Sequence, residues 1–285
     1  MTAIRRQPVA TFTAGSPERG YYNDLRGFAR TNHGLVTECR NPVTIAQIGL
    51  GAWQLSKSEP RWRDTVDAAV RRLLGHLDDA GHLPYDFPMA HTYPLRPPWL
   101  SAMAQGQAAS LFVRAAGSDE RLRQSASSVV ECLSDVGSPL VTDTDDGPVL
   151  QEYPTDPPAH VLNGWIFALW GLYDVGSAGP LTERLRAMDA FHAGIDSLAR
   201  RLPRYELPGH WSRYDLRDEG PVNVASPFYH QLHIAQLTAM SRLTGEAVFV
   251  DTASRWQRAV RNPITVARAI TGKIRFRQHY PKRAA

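Results

Sequence analysis

Apolar positions recur at steps of three and four residues along most of the chain, which is the spacing of one face of an α-helix. Strand-like alternation is confined to two short extended stretches, 149–153 and 210–216. The pattern predicts helices over residues 61–77, 100–115, 120–133, 161–173, 181–202, 229–243 and 247–260.

Turn signals separate these helices into pairs. The turns at 56–59, 117–120, 176–179 and 244–246 each supply a glycine, an N-cap residue or a first-turn acid. They recur roughly every 60 residues, about the length of two helices and two connections. An inner helix that is apolar on nearly every face, such as 161–173, must be covered on all sides. The sequence therefore predicts an all-α fold, an (α/α) barrel or toroid of about four helical hairpins.

Three long connections are predicted to lie on one face of the barrel: 83–98, 141–158 and 202–227. They are rich in Pro, Tyr, Asp and His, and long loops in a compact domain are commonly binding loops. The predicted organisation is an N-terminal arm over 1–19, a catalytic barrel over 20–270 and a basic C-terminal tail over 271–285.

Composition is that of an ordinary globular protein, with 285 residues, 43% hydrophobic and 21% charged. The net charge of +4 is concentrated near the two ends. These cations indicate either solvated termini or attraction to an acidic ligand. With no nucleic-acid motif, the predicted partner is an acidic small molecule or oligosaccharide, and a homodimer is left open.

Localisation is predicted to be cytoplasmic. The chain has only two cysteines, Cys39 and Cys132, which fits a reducing compartment. Its first residues contain no apolar core of a signal peptide. The longest apolar run, 161–173, is too short to cross a bilayer, so no membrane partner is expected.

The predicted loop face carries ionisable side chains in three segments. They are Glu152 with Tyr153, Tyr214 with Arg213 and Arg217, and Tyr229 with His230 and His233. This set offers an acid, phenols and guanidinium groups without an evident nucleophile, and it suits proton removal from a carbon next to a carboxylate. Arginine can neutralise that carboxylate, and nearby cations can lower a phenol's pKa.

Simpler interpretations of the same residues remain open. A tyrosine at a helix start is commonly a packing residue, and Arg217 can form a local ion pair. The spacing of His230 and His233 suits a metal, but no third ligand stands at a telling distance, so no metal is expected. No Gly-rich phosphate loop is present, and no cofactor is predicted.

Five motifs in order resemble those of the heparan/heparosan D-glucuronyl C5-epimerase family, in its C-terminal catalytic domain. The motifs are residues 41–50, residues 99–107, Glu152-Tyr-Pro-Thr with 161–164, Tyr214-Asp-Leu-Arg217, and Tyr229-His-x-x-His233. Residues 22–26 are similar to bacterial members of the family. The resemblance covers roughly residues 20–260.

The resemblance implies an (α/α) barrel that inverts C5 of D-glucuronate to give L-iduronate by two-base proton transfer. It assigns acid/base roles to Glu152 and Tyr229, and it implies that Tyr153 and Tyr214 are further active-site tyrosines. Arg217 would bind the carboxylate. The other predicted substrate-binding residues are Trp99, Gln105, Gln107, Asn163, Arg213, His230 and His233.

Two departures from the family pattern widen the choice of substrate. Family members that act on heparan carry a β-sandwich domain before the barrel, and this chain leaves almost no room for one. In addition, Phe228 stands where the family has an acidic residue before the tyrosine. A smaller uronate or another carbon acid is therefore an alternative substrate. The alternative functions are a uronate lyase acting by β-elimination, an acid/base enzyme on a non-sugar substrate, and a non-catalytic carbohydrate-binding module with Trp99 and Trp211 as exposed stacking platforms.

Overall fold

The computed structural model describes residues 23–90 and 92–280. The arm predicted over 1–19, and the first residue of the 22–26 motif, lie outside these ranges. The described residues form ten helices: α1 (Arg26–Asn32), α2 (Pro42–Ser56), α3 (Arg63–Leu74), α4 (Ala102–Ala116), α5 (Glu120–Glu131), α6 (Leu162–Ala178), α7 (Leu181–Arg201), α8 (Pro227–Thr244), α9 (Ala247–Ala259) and α10 (Pro263–His279).

Eight of these helices form four hairpins. Helix α2 packs on α3, α4 on α5, α6 on α7, and α8 on α9. The first helices of successive hairpins also pack on each other, in the order α2, α4, α6 and α8. These four are the inner helices, and their partners form the outer layer. The predicted all-α (α/α) barrel is confirmed.

Burial follows the pattern of apolar residues. From Leu162 to Leu172, every residue of α6 is buried, because its sequence offers apolar or small side chains on all faces. Helix α7 instead alternates buried positions such as Phe191 and Leu198 with charged, exposed ones. In a barrel the inner helices are covered on every side, so their apolar side chains are removed from water.

Helices α4 and α6 touch through their backbones. A Cβ atom added at Gly171 would lie 2.3 Å from the Cα atom of Gly106. One added at Gly106 would lie 2.6 Å from the Cα atom of Ala168. No side chain fits at either position, so the two glycines set the separation of these two inner helices.

Three of the four inner helices begin at residues that cap them through a side chain, whereas α6 follows Val161 and, among the described residues, has no such cap. Asn41 caps α2, Ser101 caps α4, and Ser226 caps α8, each with its side-chain oxygen accepting from a backbone N–H of the first turn. Helices α2 and α8 also carry proline at the first position, where a missing N–H is tolerated.

One predicted turn lies inside a helix. The glycines of 176–179 were expected to end the hairpin's first helix, but α6 continues to Ala178. Gly176 instead allows close packing, because a Cβ atom there would lie 2.8 Å from the Cε atom of Met188 on α7.

The C-terminal segment also differs from its prediction as a tail. Residues 263–279 form α10, which packs on α8, so the predicted boundary at residue 270 falls within a helix. Thr265, Ala269 and Phe276 are buried on one side of α10. Other apolar residues of α10, Ile264, Ile270 and Ile274, are exposed, so the apolar spacing does not mark one buried face and gives a weak periodic signal.

Two short antiparallel pairs shape the long loops. Strand β1 (Val141–Thr142) pairs with β2 (Val149–Leu150), with Val141 opposite Leu150. Strand β3 (Glu206–Leu207) pairs with β4 (Trp211–Ser212). Across the described ranges, no helix is both long and apolar enough to cross a membrane.

The α4–α6 contact predicts a sharp sensitivity at Gly106. Gly106→Ala should lower the free energy of unfolding by about 1–3 kcal/mol or more, because the new methyl group meets backbone rather than a movable side chain. Chemical denaturation followed by circular dichroism measures the loss. Gly34→Ala is the matched control, since a Cβ atom there meets no atom within 4 Å. Equal effects of the two substitutions would contradict this account of the contact.

Candidate active site

The three long loops meet at the N-terminal ends of the inner helices. The Tyr85 hydroxyl donates to the side-chain oxygen of Asn41, the cap of α2. The N–H of Ala102, at the start of α4, donates to the carbonyl of Gln151. These bonds attach the loop before α4 to α2, and the loop before α6 to α4.

The third loop is attached in the same way. The N–H of Leu162, at the start of α6, donates to the carbonyl of Tyr214. Tyr214 belongs to the loop that precedes α8. The face predicted from loop lengths therefore exists, at the end of the barrel where the inner helices begin.

Glu152 lies against the first turn of α6. Its side chain is buried, with 6% of the residue exposed, and its Oε2 atom accepts from the Asn163 amide at 3.4 Å. A Cβ atom added at Gly164 would lie 2.3 Å from the same Oε2 atom. Only glycine leaves space for the carboxylate there, and the N-terminal end of a helix favours a negative charge.

Four tyrosines surround this carboxylate. The rings of Tyr93 and Tyr153 stack with centroids 4.3 Å apart and planes at 7°. The rings of Tyr214 and Tyr229 meet edge to face at 4.7 Å. All four pack in one cluster with Ala159, Val161 and Ala225. We call Glu152 with Tyr93, Tyr153, Tyr214 and Tyr229 the Glu152 cluster.

Three phenols of this cluster, Tyr93, Tyr153 and Tyr214, keep their protons near neutral pH. Burial raises the pKa of Tyr153 and of Tyr214 well above the ordinary tyrosine value, and the charge of Glu152 raises both further. Tyr229 adds to the same effect on both residues. Tyr153 and Tyr214 are therefore available as hydrogen-bond donors.

A hydrogen-bonded network supports one side of the Glu152 cluster. The Tyr93 hydroxyl donates to the buried Asp215 carboxylate. The Asn223 amide donates to the same carboxylate oxygen at 2.7 Å, and Lys273 Nζ donates to the Asn223 side-chain oxygen at 2.6 Å. Burial raises the pKa of Asp215, while the bonds from Tyr93 and Asn223 act in the opposite direction.

The two predicted arginines are used differently. The Arg217 guanidinium lies 5.7 Å from the centre of the Tyr93 ring and 4.9 Å from that of Tyr280, and it donates to the carbonyl of Thr92. Its charge thus borders the Glu152 cluster. Arg213 donates to the backbone carbonyls of Asp215 and Arg217, each at 3.1 Å, and so braces the loop from within.

The two histidines lie beneath the cluster. His230 is fully buried, with Nδ1 accepting from the Ser212 N–H at 3.1 Å and Nε2 facing the Trp256 carbonyl at 3.2 Å. Both ring nitrogens of His230 therefore serve the fold, which differs from its predicted role in substrate binding. The Nδ1 atom of His233 forms a hydrogen bond with the hydroxyl group of Ser212. The Nε2 atom of His233 has no partner among the described residues.

Gln105, Gln107 and Asn163 are all buried in the barrel. Gln105 forms two 3.0 Å hydrogen bonds with the backbone of Leu83, so it holds a loop in place. Asn163 contacts Glu152 directly, as described above. Both polar atoms of the Gln107 amide, and Oδ1 of Asn163, are buried and without a partner within the described ranges.

The prediction of Trp99 and Trp211 as exposed stacking platforms is wrong. Trp99 is 6% exposed and Trp211 is 3% exposed. Trp99 stacks on Tyr85 at 3.9 Å and donates to the Phe87 carbonyl. Trp211 stacks on His230 at 3.8 Å, and its indole N–H donates to the Ala225 carbonyl. Their flat rings are covered by other rings, since indole gains most from full burial.

Sequence reasoning missed Tyr93, Asn223 and Lys273. The only available signal was the location of Tyr93 and Asn223 within long predicted loops. Lys273 gave none, because it was one of several basic residues in a predicted tail. Within residues 23–90 and 92–280, no three His, Cys, Asp or Glu side chains form a group suited to a metal ion.

Fold and site together define an (α/α) barrel protein with an acid and several phenols at the N-terminal ends of its inner helices. The family model described as D-glucuronyl C5-epimerase C-terminus matches residues 78–258, more than half of the chain. The protein belongs to this family.

Two curated proteins illustrate the relationship. The chain is 31% identical to the D-glucuronyl C5-epimerase of Caenorhabditis elegans over 215 residues, which is 66% of this chain and 34% of that protein. It is 30% identical to an uncharacterized protein of Methanocaldococcus jannaschii over 107 residues, 37% of this chain and 32% of that one. The chain thus spans about a third of the length of these relatives.

Among solved structures, cellobiose 2-epimerase from Bacillus thermoamylovorans is similar in fold. The TM-score is 0.53 at 8% sequence identity, covering 76% of this chain and 58% of that one. At this identity, the likeness concerns the fold alone.

The buried histidines predict a loss of stability in mild acid. Burial lowers the pKa of His230 to about 4, below the roughly 6.5 of an unfolded chain. Between these two pH values the unfolded state binds a proton at His230 that the folded state does not. The contribution of His230 to stability is therefore fully present above the higher value and is lost as the pH falls towards the lower one. We expect His230 to contribute a slope of up to about 1.4 kcal/mol per pH unit.

Chemical denaturation at pH 7, 6 and 5 measures that slope. His230→Gln should reduce this slope by the amount that one proton contributes, because the variant lacks the histidine that binds it on unfolding. His192→Gln is the control, because His192 is exposed on α7. Identical slopes for the parent protein and His230→Gln would refute the assignment.

Proposed function

We propose that this protein is a carbohydrate epimerase that inverts C5 of a D-glucuronate residue to give L-iduronate. The observation that carries the proposal is that the segments bearing Glu152 and Tyr229, which belong to different hairpins, meet in one aromatic cluster. Tyr153, next to Glu152, packs in this cluster, and the ring of Tyr229 meets that of Tyr214 edge to face at 4.7 Å. Both residues lie within the stretch that the family model matches.

Inversion at carbon needs a base on one face of the substrate and an acid on the other. In the proposed step, the Glu152 carboxylate takes the C5 proton, and the C–H electron pair moves into the substrate carboxylate to give an enediolate. The Tyr229 hydroxyl then delivers a proton to the opposite face of C5. The reverse reaction exchanges the two roles.

The surrounding groups suit the charge that develops in this step. The enediolate carries more negative charge on its oxygens than the substrate does, so cations and O–H donors stabilise it selectively. Arg217 supplies a cation beside Tyr93. Tyr153 and Tyr214, which burial keeps protonated, supply donors.

Proton exchange in D2O tests the proposal directly. The protein is incubated with a glucuronate-containing oligosaccharide, and C5 is followed by NMR. Deuterium at C5 with inverted configuration supports the epimerase. A new vinyl signal would mean that the same proton abstraction leads to β-elimination by a lyase, and absence of exchange on every uronate supplied would sink both functions.

Removal of either acid/base group should stop exchange. Tyr229→Phe and Glu152→Gln should each lower the rate by at least about 100-fold, because each removes a proton-transfer group while nearly preserving side-chain size. The rate of deuterium incorporation measures the loss, and the circular dichroism spectrum should not change.

Matched substitutions away from the site control for this test. Tyr173→Phe alters a half-buried tyrosine of α6 that packs on Phe191, and Glu120→Gln alters an exposed acid of α5. Both should retain the parent rate within about twofold. Near-normal exchange in Tyr229→Phe or Glu152→Gln would remove that residue from the mechanism.

A further inference from the structure

Helix α10 brings a lysine to the Glu152 cluster. The Nζ atom of Lys273 lies 5.3 Å from the centre of the Tyr214 ring and 5.0 Å from that of Phe276. Helix α10 begins at Pro263, beyond residue 258, where the family match ends. The family comparison therefore says nothing about this side chain.

The approach of α10 depends on close packing at Gly272. A Cβ atom there would lie 2.8 Å from Cγ2 of Val224, in the loop before α8. Without a side chain at Gly272, the helix comes near enough for Lys273 to donate to the neighbouring Asn223 at 2.6 Å. This bond holds the ammonium group near the Tyr214 ring.

The end of α10 holds the second cation of the site. The Tyr280 hydroxyl lies 3.4 Å from Nη2 of Arg217, and its ring lies beneath the same guanidinium group. Each tyrosine pair of the Glu152 cluster thus has a cation on one ring, Arg217 on Tyr93 and Lys273 on Tyr214. Lys273 belongs to α10, and Arg217 contacts Tyr280, the residue that follows this helix.

We propose that Lys273 is a positioning residue of this site, which holds Asn223 and favours the ionised form of Tyr214 and of the adjoining Tyr229. The inference rests on the proposed function for its catalytic meaning. A cation over a neutral phenol gains a modest attraction. In the proposed step the phenol that loses its proton is Tyr229, whose ring meets that of Tyr214 at 4.7 Å. The nearby positive charge of Lys273 attracts the phenolate left on Tyr229 after proton donation.

The site contains other titratable groups that act on Tyr214, and the test must separate Lys273 from them. They are Glu152 and Tyr153 before α6, Tyr93 with its partner Asp215, Tyr229 and His233 on α8, and Arg217 beside Tyr93. Substitution at Lys273 leaves all of these in place, so a change in Tyr214 can be assigned to the lysine.

The experiment compares four variants of the full chain. Lys273→Gln removes the charge but keeps a donor for Asn223, Lys273→Met removes both, and Lys273→Arg keeps the charge. Arg275→Met is the control, because it removes a charge from an exposed position on the same helix. Melting temperatures verify that each variant is folded.

Two measurements are made on each variant. The first is the pH dependence of kcat and KM for C5 exchange. We expect Lys273→Gln to lower kcat by about tenfold and to move the tyrosine limb to higher pH by at least about half a unit, because loss of a nearby cation raises a phenol's pKa. Lys273→Arg should have a kcat and a tyrosine limb close to those of the parent protein. Arg275→Met should match the parent protein in both quantities.

The second measurement does not need activity. The Cζ resonance of Tyr214, in protein labelled with 13C-tyrosine and assigned by its loss in Tyr214→Phe, reports the ionisation of this phenol. In Lys273→Gln and Lys273→Met it should titrate at higher pH than in the parent protein. If the parent protein fails to exchange C5, the proposed function is wrong, and this titration still tests Lys273. An unchanged Tyr214 titration, or an Arg variant as impaired as the Gln variant, would overturn the inference.

Discussion

Contact between the Glu152 carboxylate and the backbone of Gly164 is the constraint on which the site depends. A buried carboxylate is costly unless polar groups surround it. Here the Asn163 amide and the first turn of α6 meet it. The backbone contact between Gly106 on α4 and Gly171 on α6 fixes the position of α6 and therefore of its first turn. The packing of two inner helices thus determines where the acid lies.

Charges of both signs act on the tyrosines around this carboxylate. Glu152 and burial both favour protonated phenols, whereas Arg217 and Lys273 lie near the rings of Tyr93 and Tyr214. In the proposed reaction, the substrate carboxylate would meet donors and cations in this site, while its C–H bond would meet the Glu152 carboxylate. Because the network through Asn223 and Asp215 is buried, these charges are held in place before a ligand arrives.

The sequence predicted the barrel because inner and outer helices differ in their apolar faces, and this difference is local. It also placed Glu152 correctly outside a helix, through the prolines that follow. It could not reveal Tyr93 bonded to Asp215, 122 positions away, or Lys273 bonded to Asn223, 50 positions away. The spacing of His230 and His233 suggested ligand contacts, yet a serine from a distant loop engages both rings. Such partners are chosen by tertiary packing, which leaves no periodic signal.

Helix α10 shows how the site divides into two parts. The acid and the phenols lie on segments within the family match, whereas Lys273 and the Tyr280 ring that contacts Arg217 lie beyond residue 258. The proposed proton transfer requires the first set in a fixed geometry. The second set acts through charge, which tolerates larger displacements than a hydrogen bond does. If the proposed function holds, changes in α10 would alter which anionic substrates are favoured without moving Glu152 or Tyr229.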